Sequence, residues 1–259
     1  MTEAILATAG LGRRFGGLEA ARDVSIELRL GQLHALLGPN GAGKTTMINL
    51  LSGDLPATSG TIRHRGRDIT RFSPDRRSRL GIGRSYQRTS IFPALSVFEN
   101  CRLAAQSRRP RAFLLLSDGL DSPPTNEAAE TALGSVGLPP RDSRLAASLS
   151  HGEQRQLEIA MVLATGPEVL LLDEPLAGMG PEEAQLIVGL LRTLVPGRAI
   201  LLVEHDLDAV FALADVVTVM ASGQILASGS PDAVRASPAV QRAYLGEEHA
   251  PGAGRGGSP

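Results

Sequence analysis

Residues Gly38-Pro39-Asn40-Gly41-Ala42-Gly43-Lys44-Thr45-Thr46 combine spaced glycines with a lysine and two threonines. Glycines at this spacing let successive backbone N–H groups point inward, forming an anion nest at the positive end of a following helix. The stretch has the G-x-x-x-x-G-K-T pattern of a phosphate-binding loop (Walker A). It stands directly after an apolar run, 33–37, and before a helical stretch that ends near Gly53, which is the context the pattern requires. Lys44 is placed to reach the β- and γ-phosphates of ATP, and the Thr45 hydroxyl to ligate magnesium. Lys44 is also the only lysine in a chain that otherwise uses arginine for its cations. A compact ammonium and a planar guanidinium differ as ligands, so the exception suggests a specific chemical need.

Asp173 and Glu174 end a second apolar run, 169–172. Two adjacent carboxylates at the end of a buried strand are costly unless cations or water meet them. A Walker B role supplies both: Asp173 holds the magnesium shell, and Glu174 orients and deprotonates the attacking water. An N-cap role would account for Asp173 but leaves Glu174 unexplained. His205 follows a third apolar run, 200–203, and Glu204. On a strand parallel to two phosphate-handling strands it is placed to hydrogen-bond the γ-phosphate or the attacking water.

These residues need elements that bring three strand ends together. All three runs are short, rich in branched-chain residues or leucine, and stop abruptly at polar residues or glycine, as buried parallel strands do when helices cover both faces. In such open α/β sheets ligands sit beyond the carboxyl ends of the strands. The expected fold is α/β: a P-loop NTPase core with a mostly parallel sheet. Val24, Ile26, Leu28 and Leu30 alternate with Ser25, Glu27 and Arg29, predicting a half-buried strand, and 60–69 reads as a hairpin. Together they predict a small N-terminal antiparallel β subdomain. A late hairpin is expected at 216–227 around Ser222-Gly223. Between 87 and 149 the β signal disappears and 126–136 reads as helical, so an inserted helical lobe is expected over 88–164. The result is one domain, 1–245, with its core in 1–87 and 165–245. The Gly/Pro-rich stretch 246–259 is expected to be disordered.

Composition agrees with such a domain: 259 residues, 42% hydrophobic, with formal net charge −1. The charge gives no basic excess for a nucleic-acid partner. A single cysteine, Cys101, excludes an internal disulfide and reads as a buried structural thiol. Residues 1–15 do not read as a signal peptide, and no apolar run reaches the about 18 residues that span a bilayer. Any work at a membrane is expected from a soluble subunit held by others. The run 113–116, after Arg108, Arg109 and Arg111, reads as a buried helix face with a solvated basic flank in preference to a contact with a membrane partner.

Leu149-Ser150-His151-Gly152-Glu153, shortly before Asp173, resembles the LSGGQ signature of the ATP-binding-cassette (ABC) family. Gln87 in Gly83-Arg84-Ser85-Tyr86-Gln87 matches that family's Q-loop, and His205 its switch histidine. Phe15, before Gly16-Gly17, falls where the family places the aromatic that stacks on adenine, an ordinary core aromatic being the alternative. The resemblance covers 5–245 and implies two cassettes, identical or different, closed head to tail over two ATP molecules. Ser150 and the Gly152 backbone of one cassette would cap the γ-phosphate held by the other, excluding water. Gln87 would join Thr45 and Asp173 around magnesium and link γ-phosphate occupancy to the helical lobe. By the same resemblance that lobe would dock on two transmembrane permease subunits at the cytoplasmic face of the membrane, with a solute-binding protein taking part indirectly. His151 departs from the family's first signature glycine, and Gly180 stands where the D-loop often has Asp.

Glu153 stands where the family more often has Gln. Ser150-His151-Gly152-Glu153 fits the S-x-x-E capping box, with helical spacing following in Leu157, Ala160, Met161 and Ala164, so Glu153 is read as structural in preference to a charge repelling the opposing γ-phosphate. Several stretches, among them 81–87, 91–100, Ala177-Gly178-Met179 and Ala243-Tyr244-Leu245-Gly246, are similar to the ATP-binding subunits of branched-chain amino acid and urea or amide importers. Lipopolysaccharide-export cassettes share some of them. Soluble cassettes acting on ribosomes or DNA usually carry two P-loops or a long coiled coil, and this chain shows neither. A generic P-loop kinase or GTPase is disfavoured by the signature.

Overall fold

The computed structural model describes residues 3–86, 90–107, 122–205 and 207–248. Its main sheet has six strands in the order β11 (Gln224–Gly229), β10 (Val216–Ala221), β4 (Gln32–Leu37), β9 (Ala199–Val203), β8 (Val169–Asp173), β7 (Ile82–Arg84). Only the β10–β11 pair is antiparallel. The three apolar runs are β4, β8 and β9 at its centre, and their alternate residues feed two cores. Leu33, Ala35, Leu37, Leu170, Leu172, Ile200 and Leu202 join the core that the helical lobe shares with Ile187, Leu191, Leu194 and Val210. Leu36, Val169, Leu171, Ala199, Leu201 and Val203 face the P-loop helix and the smaller sheet. Burial on both faces is why these strands read as continuous apolar runs. In register, Leu36 lies opposite Val203, and Val203 opposite Asp173. Gly38, Glu174 and His205 therefore leave the sheet at one edge.

The smaller sheet is antiparallel and built on β1 (Ala4–Phe15), which pairs with β2 (Leu18–Val24), β3 (Glu27–Arg29) and β5 (Ser59–His64). The hairpin expected at 60–69 is β5 with β6 (Arg67–Asp68). The strand expected at 24–30 keeps its alternation, with Val24, Ile26 and Leu28 buried. It is split in two, because the Thr8 hydroxyl bonds the Val24 carbonyl and the Ile26 N–H at the break. The late hairpin is β10–β11, turned by Ser222 (φ 47°) and Gly223 (φ 78°). Two positive φ values are the requirement of the type I′ turn that matches strand twist.

Helix α1 (Lys44–Ser52) follows the P-loop and α2 (Pro74–Arg79) packs at its far end. There the buried Arg77 donates to the Leu50 and Leu51 carbonyls, acceptors that the C-terminus of α1 leaves open, and to the Thr70 and Phe72 carbonyls of the loop before α2. The lobe comprises α3 (Val97–Gln106), α4 (Pro123–Ser135), a 3-10 turn (Ala146–Ser148) and α5 (His151–Ala164). α4 takes in 123–125 ahead of the expected start, since prolines in a first turn forfeit no helical hydrogen bond. Cys101 of α3 is fully buried, and burial pushes its thiol up to about 12. After β8 come α6 (Pro181–Leu194), α7 (Leu207–Leu213), α8 (Pro231–Arg235) and α9 (Pro238–Glu248), the last including 246–248 of the Gly/Pro-rich stretch. The run 113–116 lies outside the described residues. Among the described residues no helix is long and apolar enough to cross a membrane.

Candidate functional site

At the shared strand edge the P-loop wraps into the start of α1, where the Met47 N–H donates to the Gly43 carbonyl at 2.9 Å. The N–H groups ahead of it belong to the open end of the helix, where an anion is favoured. The loop is backed tightly. At Gly38 (φ 151°) a Cβ would run into the Met220 carbonyl, and at Gly43 (φ 103°) into the Ala20 carbonyl. The Gly223 N–H donates to the Ala42 carbonyl at 3.0 Å, so the late hairpin supports the loop from behind. Lys44 is buried and its ammonium donates to the Gly38 and Pro39 carbonyls, the latter at 3.1 Å.

A cavity of about 640 Å³ opens over this loop, lined by residues 40–46, Phe15, Glu174 and the Ser222-Gly223 turn. Phe15 is 44% exposed, which removes the core-aromatic alternative. The Arg13 guanidinium stacks 4.5 Å from its ring centroid. Leu18 joins the same wall.

The adjacent carboxylates separate in role. Asp173 ends β8 and is 2% exposed, whereas Glu174 lines the cavity. Glu174 takes φ 47°, a left-handed conformation that costs a non-glycine residue about 1–3 kcal/mol. Burial pushes the Asp173 carboxyl above the usual range; Arg84 and Lys44 oppose the shift, and Glu174 adds to it. A carboxylate so placed beside a phosphate nest fits a divalent cation, with the Thr45 hydroxyl on the cavity wall as a second ligand. His205 Nδ1 lies 3.9 Å from Glu174 Oε1 and 3.8 Å from Glu204 Oε2. Gln87 lies outside the described residues.

Ser150 and Gly152 stand at the start of α5 and do not line this cavity. Ser150 caps α5: its hydroxyl accepts from the Glu153 N–H at 3.2 Å, and the Glu153 carboxylate accepts from the Ser150 N–H at 3.0 Å. The capping box read from S-x-x-E is therefore present, and a second stands at Ser96 and Glu99, where the same spacing passed unread.

Other functional neighbours were not anticipated. Glu204 is fully buried and accepts from the Leu176 N–H at 2.8 Å and the His205 N–H at 3.3 Å, tying the turn after β8 to the end of β9. Burial raises its carboxyl. Arg84 bridges Asp54 (2.6 Å) and Asp173 (3.6 Å). A carboxylate beside His205 was a local signal for Glu204; the Arg84 partners are distant in sequence and gave none.

The model of the family described as "ABC transporter" matches residues 21–177, and one described as "Branched-chain amino acid ATP-binding cassette transporter" matches 224–250. The high-affinity branched-chain amino acid transport ATP-binding protein LivG of Salmonella typhimurium is 40% identical over 256 residues, covering 95% of this chain and all of LivG. BraF of Pseudomonas aeruginosa, named likewise, is 38% identical over 257 residues, covering 95% of this chain and 100% of BraF. Among solved structures, the ADP conformation of MJ1267, an ATP-binding cassette of an ABC transporter, superposes with a TM-score of 0.83 at 31% identity, over 95% of this chain and 100% of that one.

Proposed function

The chain belongs to the ABC transporter family, and from that premise we propose that it is the ATP-hydrolysing subunit of an importer of branched-chain amino acids or a related small polar solute. The observation that carries the chemistry is one cavity that joins the P-loop residues, Lys44 among them, to Glu174. The triphosphate lies in the nest, with Lys44 at its β- and γ-phosphates and Phe15 against the adenine. Thr45, Asp173 and Gln87 would hold magnesium, which when bound would supply charge neutralisation to the phosphates. Glu174 takes a proton from water, whose oxygen attacks the γ-phosphorus. The bond to the β–γ bridging oxygen breaks, and ADP leaves with that electron pair. His205, within reach of Glu174, supports the attacking water or the γ-phosphate.

Ser150 and Gly152 belong to a second site in this reading: each cassette offers them to the nucleotide of its partner cassette. The permease subunits dock on the lobe side, where a groove of about 360 Å³ between lobe and core is lined by Tyr86, Glu158, Met161 and Val162 among others. The chain sits peripherally at the cytoplasmic face. Two measurements test this. Purified protein should hydrolyse ATP in a magnesium-dependent way, and Glu174→Gln should not. Cells lacking the chain should lose high-affinity uptake of labelled leucine; undiminished leucine uptake would point to another solute.

A further inference from the structure

Helix α5 carries a buried ion pair that the reaction above does not use. Arg155 Nη1 and Glu158 Oε2 are 2.6 Å apart, and each side chain is 7% exposed. Buried pairs are weak contributors to stability in themselves, so the other bonds of this pair are informative. Arg155 Nε donates to the Pro175 carbonyl at 3.1 Å and Nη2 to the Glu174 carbonyl at 3.1 Å. Nη1 also reaches the Tyr86 carbonyl at 3.4 Å. Glu158 Oε1 accepts from the Ser90 N–H at 2.8 Å. One pair on a lobe helix thus grips the turn after β8 and both residues that flank 87–89.

The grip falls on the strained residue. Glu174 holds its left-handed backbone between two fixed points: its N–H donates to the Val203 carbonyl at 2.9 Å, and its carbonyl accepts from Arg155. Leaving that conformation would change φ and ψ at Glu174, turn its Cα–Cβ bond, and redirect the carboxylate that lines the cavity. A guanidinium fork holds two consecutive carbonyls in fixed directions, which a single ammonium cannot do.

We propose that Arg155, braced by Glu158, is a positioning residue that aims the Glu174 carboxylate at the attacking water and makes that aim depend on where the lobe sits. The inference rests on Glu174 as the base. The test compares Arg155→Lys, Glu158→Gln, Glu174→Gln and the double variants in the full-length chain, reading single-turnover hydrolysis, ATP affinity and Tm. Arg155→Lys should slow hydrolysis by about tenfold or more, with ATP affinity within about threefold and Tm little changed. Glu158→Gln, which keeps the acceptor for Ser90, should lose about threefold. In the Glu174→Gln background either change should add less than about twofold, because a group acting through Glu174 has nothing left to aim. Hydrolysis by Arg155→Lys within about twofold of wild type, or losses that multiply in the double variants, would overturn the proposal. Should Arg155→Lys fail to fold, Glu158→Gln alone and in the Glu174→Gln background decides by the same criteria. Full activity in Glu174→Gln would remove the base itself and this role with it, an outcome distinct from an active Arg155→Lys beside an inactive Glu174→Gln.

Discussion

Arg144 donates from Nη1 to Glu153 Oε1 at 2.8 Å, pinning the first turn of α5 to the loop that precedes the signature. With the Ser150 N–H on its other oxygen, the Glu153 carboxylate has its charge answered within the chain. Glu153→Ala should therefore cost on the order of 1 kcal/mol, read from denaturant unfolding. Glu153→Gln, tested in a Glu174→Gln background, should raise ATP-driven dimerisation by less than tenfold, about 1.4 kcal/mol. A larger gain would mean that repulsion of the opposing phosphate matters more than capping.

The same cluster sets an acid response. The Ser150 backbone bond, then Arg144, holds the Glu153 carboxyl below the usual carboxylate range, and Arg144 does the same for Asp142. Both groups have lower folded than unfolded values, so their stabilisation is complete above the ordinary carboxylate pKa and is lost as pH falls through the folded values. Arg144→Ala should unfold at lower denaturant than wild type at neutral pH, and the gap should shrink toward about pH 3. A gap that stays constant would show that Arg144 acts by packing alone.

Lys44→Ala should abolish ATP binding while leaving the fold intact, and Lys44→Arg should also be poor. The ammonium is buried against the Gly38 and Pro39 carbonyls, where a planar fork has no room. Equilibrium nucleotide titration with circular dichroism of each variant checks both statements; wild-type affinity in Lys44→Arg would refute the fit argument.

Glu174→Gln should bind ATP yet hydrolyse it more than about tenfold slower. Its backbone offers an independent reading. Because Glu174 is left-handed, Glu174→Gly should be more stable than Glu174→Ala by about 1 kcal/mol, with hydrolysis lost in both. Equal stabilities would argue that the turn relaxes once the carboxylate is gone.

Gly152→Ala separates phosphate approach from folding. A methyl group there would stand 3.3 Å from the end of the Glu183 side chain, which can give way. Stability should change by less than about 1 kcal/mol, while ATP-driven dimerisation weakens. An unchanged dimer would take the Gly152 backbone away from the opposing nucleotide.

What could be read from residues alone divides by the range of the forces involved. β4, β8 and β9 were legible because burial on both faces writes itself into consecutive residues, and their ends place Gly38, Asp173 and His205. The Ser150–Glu153 box was legible because both partners lie within one helical turn. β1 was not: its three Ala and two Gly residues carry weak strand preference, and it is held by three partner strands along its length. Arg155 read as any helical arginine, since its acceptors at Tyr86, Glu174 and Pro175 are far away in sequence. Arg144 was missed although its partners Asp142 and Glu153 are near in sequence, because they meet it across a loop that no helical or strand period describes.

The backing of the P-loop by the Met220 and Ala20 carbonyls and by the Gly223 N–H has a kinetic consequence. A cradle already ordered when the chain folds asks little further ordering of an arriving nucleotide. Capture should then run near the encounter rate, with a small entropy loss from the loop itself. By the same argument, slow events are expected where parts must move relative to this fixed seat.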